Sequence, residues 1–102
     1  MPSYRIEFDW DPSKEASNRA KHGLAFELAL TVFRDPFAAS ILDEDYAENE
    51  ERWITIGETA DGSLALVIHT WVETDQDHAF VRIISARRPT KREARQYREG
   101  RS

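Results

Sequence analysis

The stretch Trp10 to Phe33 constrains the chain more than any other, because the two helices it encodes carry their own start and stop signals. Asp11-Pro12 opens the first. An Asp side chain accepts from the unpaired N–H groups of a first helical turn, and proline suits the first helical position because the N–H it lacks has no helical partner there. His22-Gly23 closes it: glycine takes the left-handed conformation that ends a helix, and a basic residue suits the negative end of the helix dipole. The second helix places Phe26, Ala29, Leu30 and Phe33 at i, i+3, i+4 and i+7, a single apolar face. It stops at Asp35-Pro36, since the residue before proline avoids helical conformation. The first helix has little to bury beyond Ala16 and Ala20, so these small residues are predicted to lie close to a sheet. Lys14, Asn18 and Lys21 share a face predicted to point outward, with His22 beside it.

The remaining segments read mostly as strands. Tyr4, Ile6, Phe8 and Trp10 alternate with Arg5, Glu7 and Asp9, the period of a half-buried strand. Phe37 to Leu42 is a short apolar strand. Asp43 to Glu51 is an acidic connecting loop. Arg52 to Gly57 puts Trp53, Thr55 and Gly57 on one face and Ile54 and Ile56 on the other. Asp61-Gly62 signals a hairpin turn. Leu64 to Trp71 is nearly continuous in apolar residues, as in a central strand covered on both sides. Glu73 to His78 reads as a polar turn. Phe80 to Ala86 is a last strand, with Arg82, Ile84 and Ala86 on one face and Val81, Ile83, Ser85 and Arg87 on the other. Thr90-Lys-Arg-Glu93 is a capping box that opens a basic C-terminal helix, whose only apolar contacts are Ala94 and Tyr97. The expected class is α+β: a small antiparallel β-sheet packed with two N-terminal helices and one C-terminal helix.

A chain of 102 residues makes one domain. It has no cysteine, which excludes a disulfide framework, a zinc–thiolate site and a thiol nucleophile. No apolar run is long enough to span a bilayer and the N-terminus lacks a signal-peptide pattern, so a cytoplasmic location is expected. The net charge of −5 conceals a polarised chain. Residues 43–77 hold eleven acids and one Arg, whereas residues 82–102 hold eight Lys or Arg and two Glu. The basic end predicts an anionic partner such as RNA or DNA; the acidic middle predicts a basic partner or a solvated loop.

Several pieces then carry a resemblance: Phe8-Asp-Trp-Asp-Pro12, Lys14, Asn18, Lys21-His-Gly23, Phe26, Ala29, Val32-Phe33, Asp35-Pro36, Glu51-Arg52, Ile56-Gly57 and Arg82-Ile-Ile-Ser-Ala-Arg87. In this order and over nearly the whole chain, they resemble the BrnT family of toxins from type II toxin–antitoxin modules. The resemblance implies a RelE-like fold and a ribonuclease that blocks translation. It also implies neutralisation by a BrnA-type antitoxin, through which the complex binds operator DNA. A homodimer or a toxin–antitoxin heterotetramer is compatible with it. Two positions depart from the family's habit. Ala25 stands where a capping Ser is frequent, a loss of about 1 kcal/mol to the second helix. Tyr46-Ala47 stands where a His and a Ser often precede Glu51-Arg52.

Metal-independent RNA cleavage, without a cofactor, needs a base for the 2′-hydroxyl, an acid for the leaving 5′-oxygen, and cations for the charge on phosphorus. Arg82 is the leading candidate, since an Arg within an apolar strand must place its charge in a wet or paired position and its fork matches phosphate oxygens. Arg87 and Arg88, at the end of that strand, offer further phosphate contacts. Imidazole is the side chain suited to proton transfer near neutrality, so His22 can serve as acid or base, or as a helix-terminal residue. The expected catalytic set is therefore Arg82, His22 and Arg87, with Lys14, Lys21, Arg88, Lys91 and Arg92 binding RNA. Ser85 is equally a hydrogen-bonding group or a small spacer. Tyr97 reads as the anchor of the last helix, His69 as a satisfied core residue, and Glu50 and Glu51 as surface charge. No metal-ligand spacing occurs. The competing reading is a non-catalytic interaction module, binding a basic partner through Asp43–Glu51 and nucleic acid through the C-terminal helix. A stand-alone DNA-binding regulator lacks a recognition-helix pattern.

Overall fold

The computed structural model describes residues 5–44, 51–75 and 77–101. Tyr4 and residues 45–50 of the acidic loop, including Tyr46-Ala47 and Glu50, lie outside the described residues. The elements run β1 (Arg5–Asp9), α1 (Pro12–His22), α2 (Phe26–Ala29) continuing as a 3-10 turn (Leu30–Arg34), β2 (Ala39–Leu42), β3 (Arg52–Glu58), β4 (Leu64–Thr70), β5 (Val72–Asp75), β6 (His78–Arg87) and α3 (Lys91–Arg101). The six strands form one sheet in the order β1-β6-β4-β3-β2, with β5 also paired to β6. All pairings are antiparallel except β1 with β6, which is parallel. The fold is thus α+β with three helices and a mostly antiparallel sheet.

The capping signals act as the residues dictate. Asp11 accepts from the Ser13 backbone N–H at 2.9 Å and its hydroxyl at 2.8 Å, bonds that hold its carboxyl below the usual range. Gly23 takes φ 68°, and its N–H reaches the Arg19 carbonyl. Thr90 and Glu93 exchange bonds at 3.1 and 2.8 Å, completing the capping box of α3. At α2 the missing Ser is replaced from a distance: Glu15 of α1 accepts from the Phe26 N–H at 3.3 Å. The second helix tightens to 3-10 geometry after Ala29. Thr31 bonds back to the Leu28 carbonyl, and the chain leaves at Asp35 with φ −76° and ψ 117°, the extended conformation that Pro36 demands.

Leu24, Phe26, Ala29 and Val32 pack against Ala65, Val67, Val81, Ile83 and Ala86 to form the core on one face of the sheet. Phe8 with Phe33 and Trp10 with Phe26 extend it as tilted and edge-on ring pairs. β4 lies in the middle of the sheet and is buried along nearly its whole length. Gly57 lets the 3-10 turn approach: a Cβ there would stand 3.1 Å from Val32 Cβ and 3.2 Å from Val32 O. α3 covers part of the opposite face, with Tyr97 buried and its hydroxyl bonded to Asp35.

Three expectations change. Ala16 and Ala20 are exposed, and the buried residue of α1 is Asn18. Its amide donates to the Ala86 carbonyl at 2.8 Å and accepts from the Ala86 N–H at 3.2 Å. A two-way hydrogen bond to strand backbone, rather than small-residue packing, docks this helix. The polar segment after Trp71 is not all turn, since Val72–Asp75 forms β5 along β6. Strict alternation also fails in β6. Ile68 pairs with Ser85 and His69 with Ile83, so Ile84 is the extra residue of a bulge. Ala86 consequently joins Val81 and Ile83 in the core, away from Arg82.

Candidate active site

The parallel pairing of β1 with β6 places Asp9 directly beside Arg82. At that sheet end the chain turns into α1, whose start carries Lys14 one helical turn before the docked Asn18. The result is a groove of about 300 Å³ lined by Asp9, Trp10, Asp11, Lys14, Arg82, Ile83 and Ile84. Arg82 Nε stands 3.8 Å from Asp9 Oδ2, with both side chains more than half exposed. That is a weak, solvent-screened pair. Arg82 is also fixed through its backbone, whose N–H donates to the buried Thr70 hydroxyl at 3.0 Å. The guanidinium is therefore rooted but not consumed. The Ile84 bulge supplies part of the groove wall beside it.

The other cations predicted for the site are elsewhere. Arg87 gives two bonds to Glu93, at 2.8 and 3.0 Å, and lines a separate cavity under α3 with Ile54, Ile56, Leu66 and Tyr97. The pairing pulls the Glu93 carboxyl down to about 2 and pushes the Arg87 guanidinium up. Arg88 Nη1 reaches the Ser63 hydroxyl at 2.9 Å and the Leu64 carbonyl at 3.0 Å, beside the Asp61 turn. Hydrogen bonds from Ser63 and Thr59 hold the Asp61 carboxyl at about 2. Lys21 and His22 are exposed at the far end of α1, about 10–12 Å along the helix axis from Lys14. Lys91 and Arg92 are exposed in the first turn of α3. Ser85 is half-buried on β6, opposite Ile68.

A larger cavity, about 480 Å³, opens on the core side of the sheet among Ile6, Phe33, Trp53, Thr55, His69 and Trp71. His69 is nearly fully buried and satisfied at both nitrogens. Nδ1 donates to the Thr70 carbonyl at 2.9 Å, and Nε2 accepts from the Thr55 hydroxyl at 2.6 Å, which in turn accepts from Ser40 at 2.7 Å. Burial lowers its pKa and keeps it neutral. The core reading of His69 holds. Among the described residues no group of three His, Asp or Glu side chains is arranged to hold a metal ion. Among them, too, no helix is long and apolar enough to cross a membrane.

One groove residue, and the amide that docks α1 beside the groove, escape the sequence pattern. Asp9 becomes a site residue only through a parallel pairing between segments seventy residues apart, which no local signal announces. Asn18 had a readable signal, the only amide in a helix of charged and small residues, but periodicity grouped it with the lysines.

The family described as "Ribonuclease toxin, BrnT, of type II toxin-antitoxin system" matches residues 10–93. No curated protein matches the chain. Among solved structures, the 1.1 Å crystal structure of the Brucella abortus ribonuclease toxin BrnT resembles this one with a TM-score of 0.52 and 23% identity. The match covers 85% of this chain and 100% of that one. At that identity the likeness speaks for the fold, and the family match, which spans most of the chain, speaks for kinship. Helix α1 with its buried Asn18 and the β6 strand that carries Arg82 lie within the matched region, and the chain belongs to the BrnT family of ribonuclease toxins of type II toxin–antitoxin systems.

Proposed function

We propose that this chain is a metal-independent endoribonuclease that blocks translation by cutting RNA in the Asp9–Lys14–Arg82 groove. The observation that carries the reading is the convergence of two cations from different elements, Lys14 and Arg82, on one groove with an exposed carboxylate. Arg82 is the phosphate ligand. Its pairing with Asp9 is loose, so a phosphate displaces the carboxylate at small cost and gains a charge-assisted, two-point contact. Asp9, released, takes the proton of the 2′-hydroxyl. The 2′-oxygen then bonds to phosphorus as the bond to the 5′-oxygen breaks, leaving a 2′,3′-cyclic phosphate. Lys14 stabilises the charge that develops and gives a proton to the departing oxygen.

Lys21 and His22 extend the same edge of α1, where they contact flanking RNA; His22 as acid or base requires the substrate to bend towards that end. Arg88, Lys91 and Arg92 add electrostatic attraction from the far side. Arg87, held by Glu93, acts by positioning α3. The family predicts an antitoxin partner, and a BrnA-type protein with its own operator-binding region is the expected one. The RelE-like comparison rests on fold analogy. The test is incubation of antitoxin-free protein with end-labelled RNA in excess EDTA. Wild-type protein is expected to cleave and Arg82→Ala to lose cleavage while staying folded. Absence of wild-type cleavage, or cleavage that needs an added metal, contradicts the proposal.

A further inference from the structure

The outer face of β6 bears three side chains in alternation: His78, Phe80 and Arg82. α3 shields the other end of this face, over Leu66, Ile54 and Ile56, and leaves this end open. Phe80 is 42% exposed although its strand is paired on both sides, by β1 and β5. A single exposed apolar residue needs no explanation. This one differs in being ordered and in its neighbours. The His78 imidazole lies 5.0 Å from the Phe80 ring with 25° between the planes, so the two rings form a stack fixed on a rigid strand. Arg82 follows two residues later on the same face, about 7 Å along the strand. Two carboxylates border this face: Glu7 Oε1 lies 3.5 Å from His78 Nε2 without a hydrogen bond, and Asp9 lies 3.8 Å from Arg82. Val72, opposite Phe80 and 51% exposed, continues the apolar surface.

A fixed ring beside a cation, spaced by one nucleotide's reach from phosphate to base, is the arrangement that binds single-stranded nucleic acid by stacking. We propose that the His78–Phe80 ring pair is a stacking platform for an unpaired base of the RNA, adjoining the phosphate that Arg82 holds. The inference rests on the ribonuclease reading for the identity of its ligand. It adds a subsite that selects unpaired RNA, because a base within a duplex presents no free face to the ring. Every base has such a face, so the platform tolerates sequence.

The test uses a 2′-O-methyl oligoribonucleotide, which lacks the 2′-hydroxyl proton and is not cut, with 2-aminopurine at successive positions. Wild-type protein is expected to quench the fluorophore at one position. Phe80→Leu, apolar but without a π face, is expected to abolish that quenching and weaken binding about tenfold, while Phe80→Tyr keeps both. On cleavable RNA, Phe80→Leu is expected to raise KM more than it lowers kcat. Quenching and affinity unchanged in Phe80→Leu overturn the platform, as does a wild-type protein that does not bind the oligonucleotide. The two readings fail separately. Cleavage indifferent to Phe80→Leu removes the platform and leaves the nuclease. Position-specific quenching without cleavage by the wild type removes the nuclease and leaves the platform.

Discussion

Asn18 holds together the two elements that carry the groove's cations, and it does so with one amide. Replacing it by Leu leaves the N–H and C=O of Ala86 buried without partners. Each such group costs about 1–3 kcal/mol, so Asn18→Leu is expected to lower stability by about 2–6 kcal/mol in urea denaturation. Asn18→Asp keeps the acceptor, loses the donor and sets a carboxylate against a carbonyl, so it fares little better. His69 gives a prediction in pH. Burial lowers its pKa from the ordinary 6.5, so below 6.5 the unfolded chain binds a proton that the folded chain refuses. Its stabilising contribution is full above 6.5 and is lost as pH falls towards the folded value. The stability gap between wild type and His69→Gln is therefore expected to narrow from pH 7.5 to pH 5.5 in denaturant titrations. At this scale the sequence was legible where chemistry is local. Asp11, Gly23, Thr90 and Glu93 announce caps, and His69 in an apolar strand announces a satisfied core group. Asp9 was not legible, because its partner lies far along the chain, and Asn18 announced a lone amide but not the distant strand it docks on.

Among the elements, α3 is anchored by the buried Tyr97, whose hydroxyl bonds to Asp35, and by Glu93, shared between Arg87 and the capping box. Asp35 also accepts from the Phe37 and Glu58 N–H groups, so one carboxylate ties the 3-10 turn, β3 and α3. Glu93→Ala removes both the cap reciprocity and the ion pair. It is expected to speed amide exchange throughout residues 91–101 while β4 and β6 keep their protection, as read by hydrogen-exchange mass spectrometry. The 3-10 turn is held differently, by close approach. Gly57→Ala pushes Val32 away and is expected to cost about 1–3 kcal/mol by thermal unfolding. Periodicity located most of these elements, and it failed at two informative places. The Ile84 bulge breaks the alternation of β6 and reverses the side on which Ala86 falls, a shift that follows from pairing with β4. β5 is short and polar, and becomes a strand because β6 offers it an edge.

For the whole molecule, the polarised charge makes RNA binding an electrostatic matter despite the net −5. Removing both cations in Lys91→Ala/Arg92→Ala is expected to reduce the slope of log affinity against log salt by about 1.4, measured on single-stranded RNA. An unchanged slope would place α3 outside the RNA path. The global arrangement also separates two arginines that look equivalent in Arg82-Ile-Ile-Ser-Ala-Arg87. One faces a groove with a loose partner; the other is clamped beneath a helix. Comparing single-turnover cleavage of end-labelled RNA by Arg82→Ala and Arg87→Ala, both verified as folded, tests the central claim most directly. The groove account predicts a loss of about a hundredfold or more for Arg82→Ala, the scale of a lost charge-stabilising group, and a loss under tenfold for Arg87→Ala. Equal losses, or the reverse order, would contradict it and move the site to the cavity beneath α3.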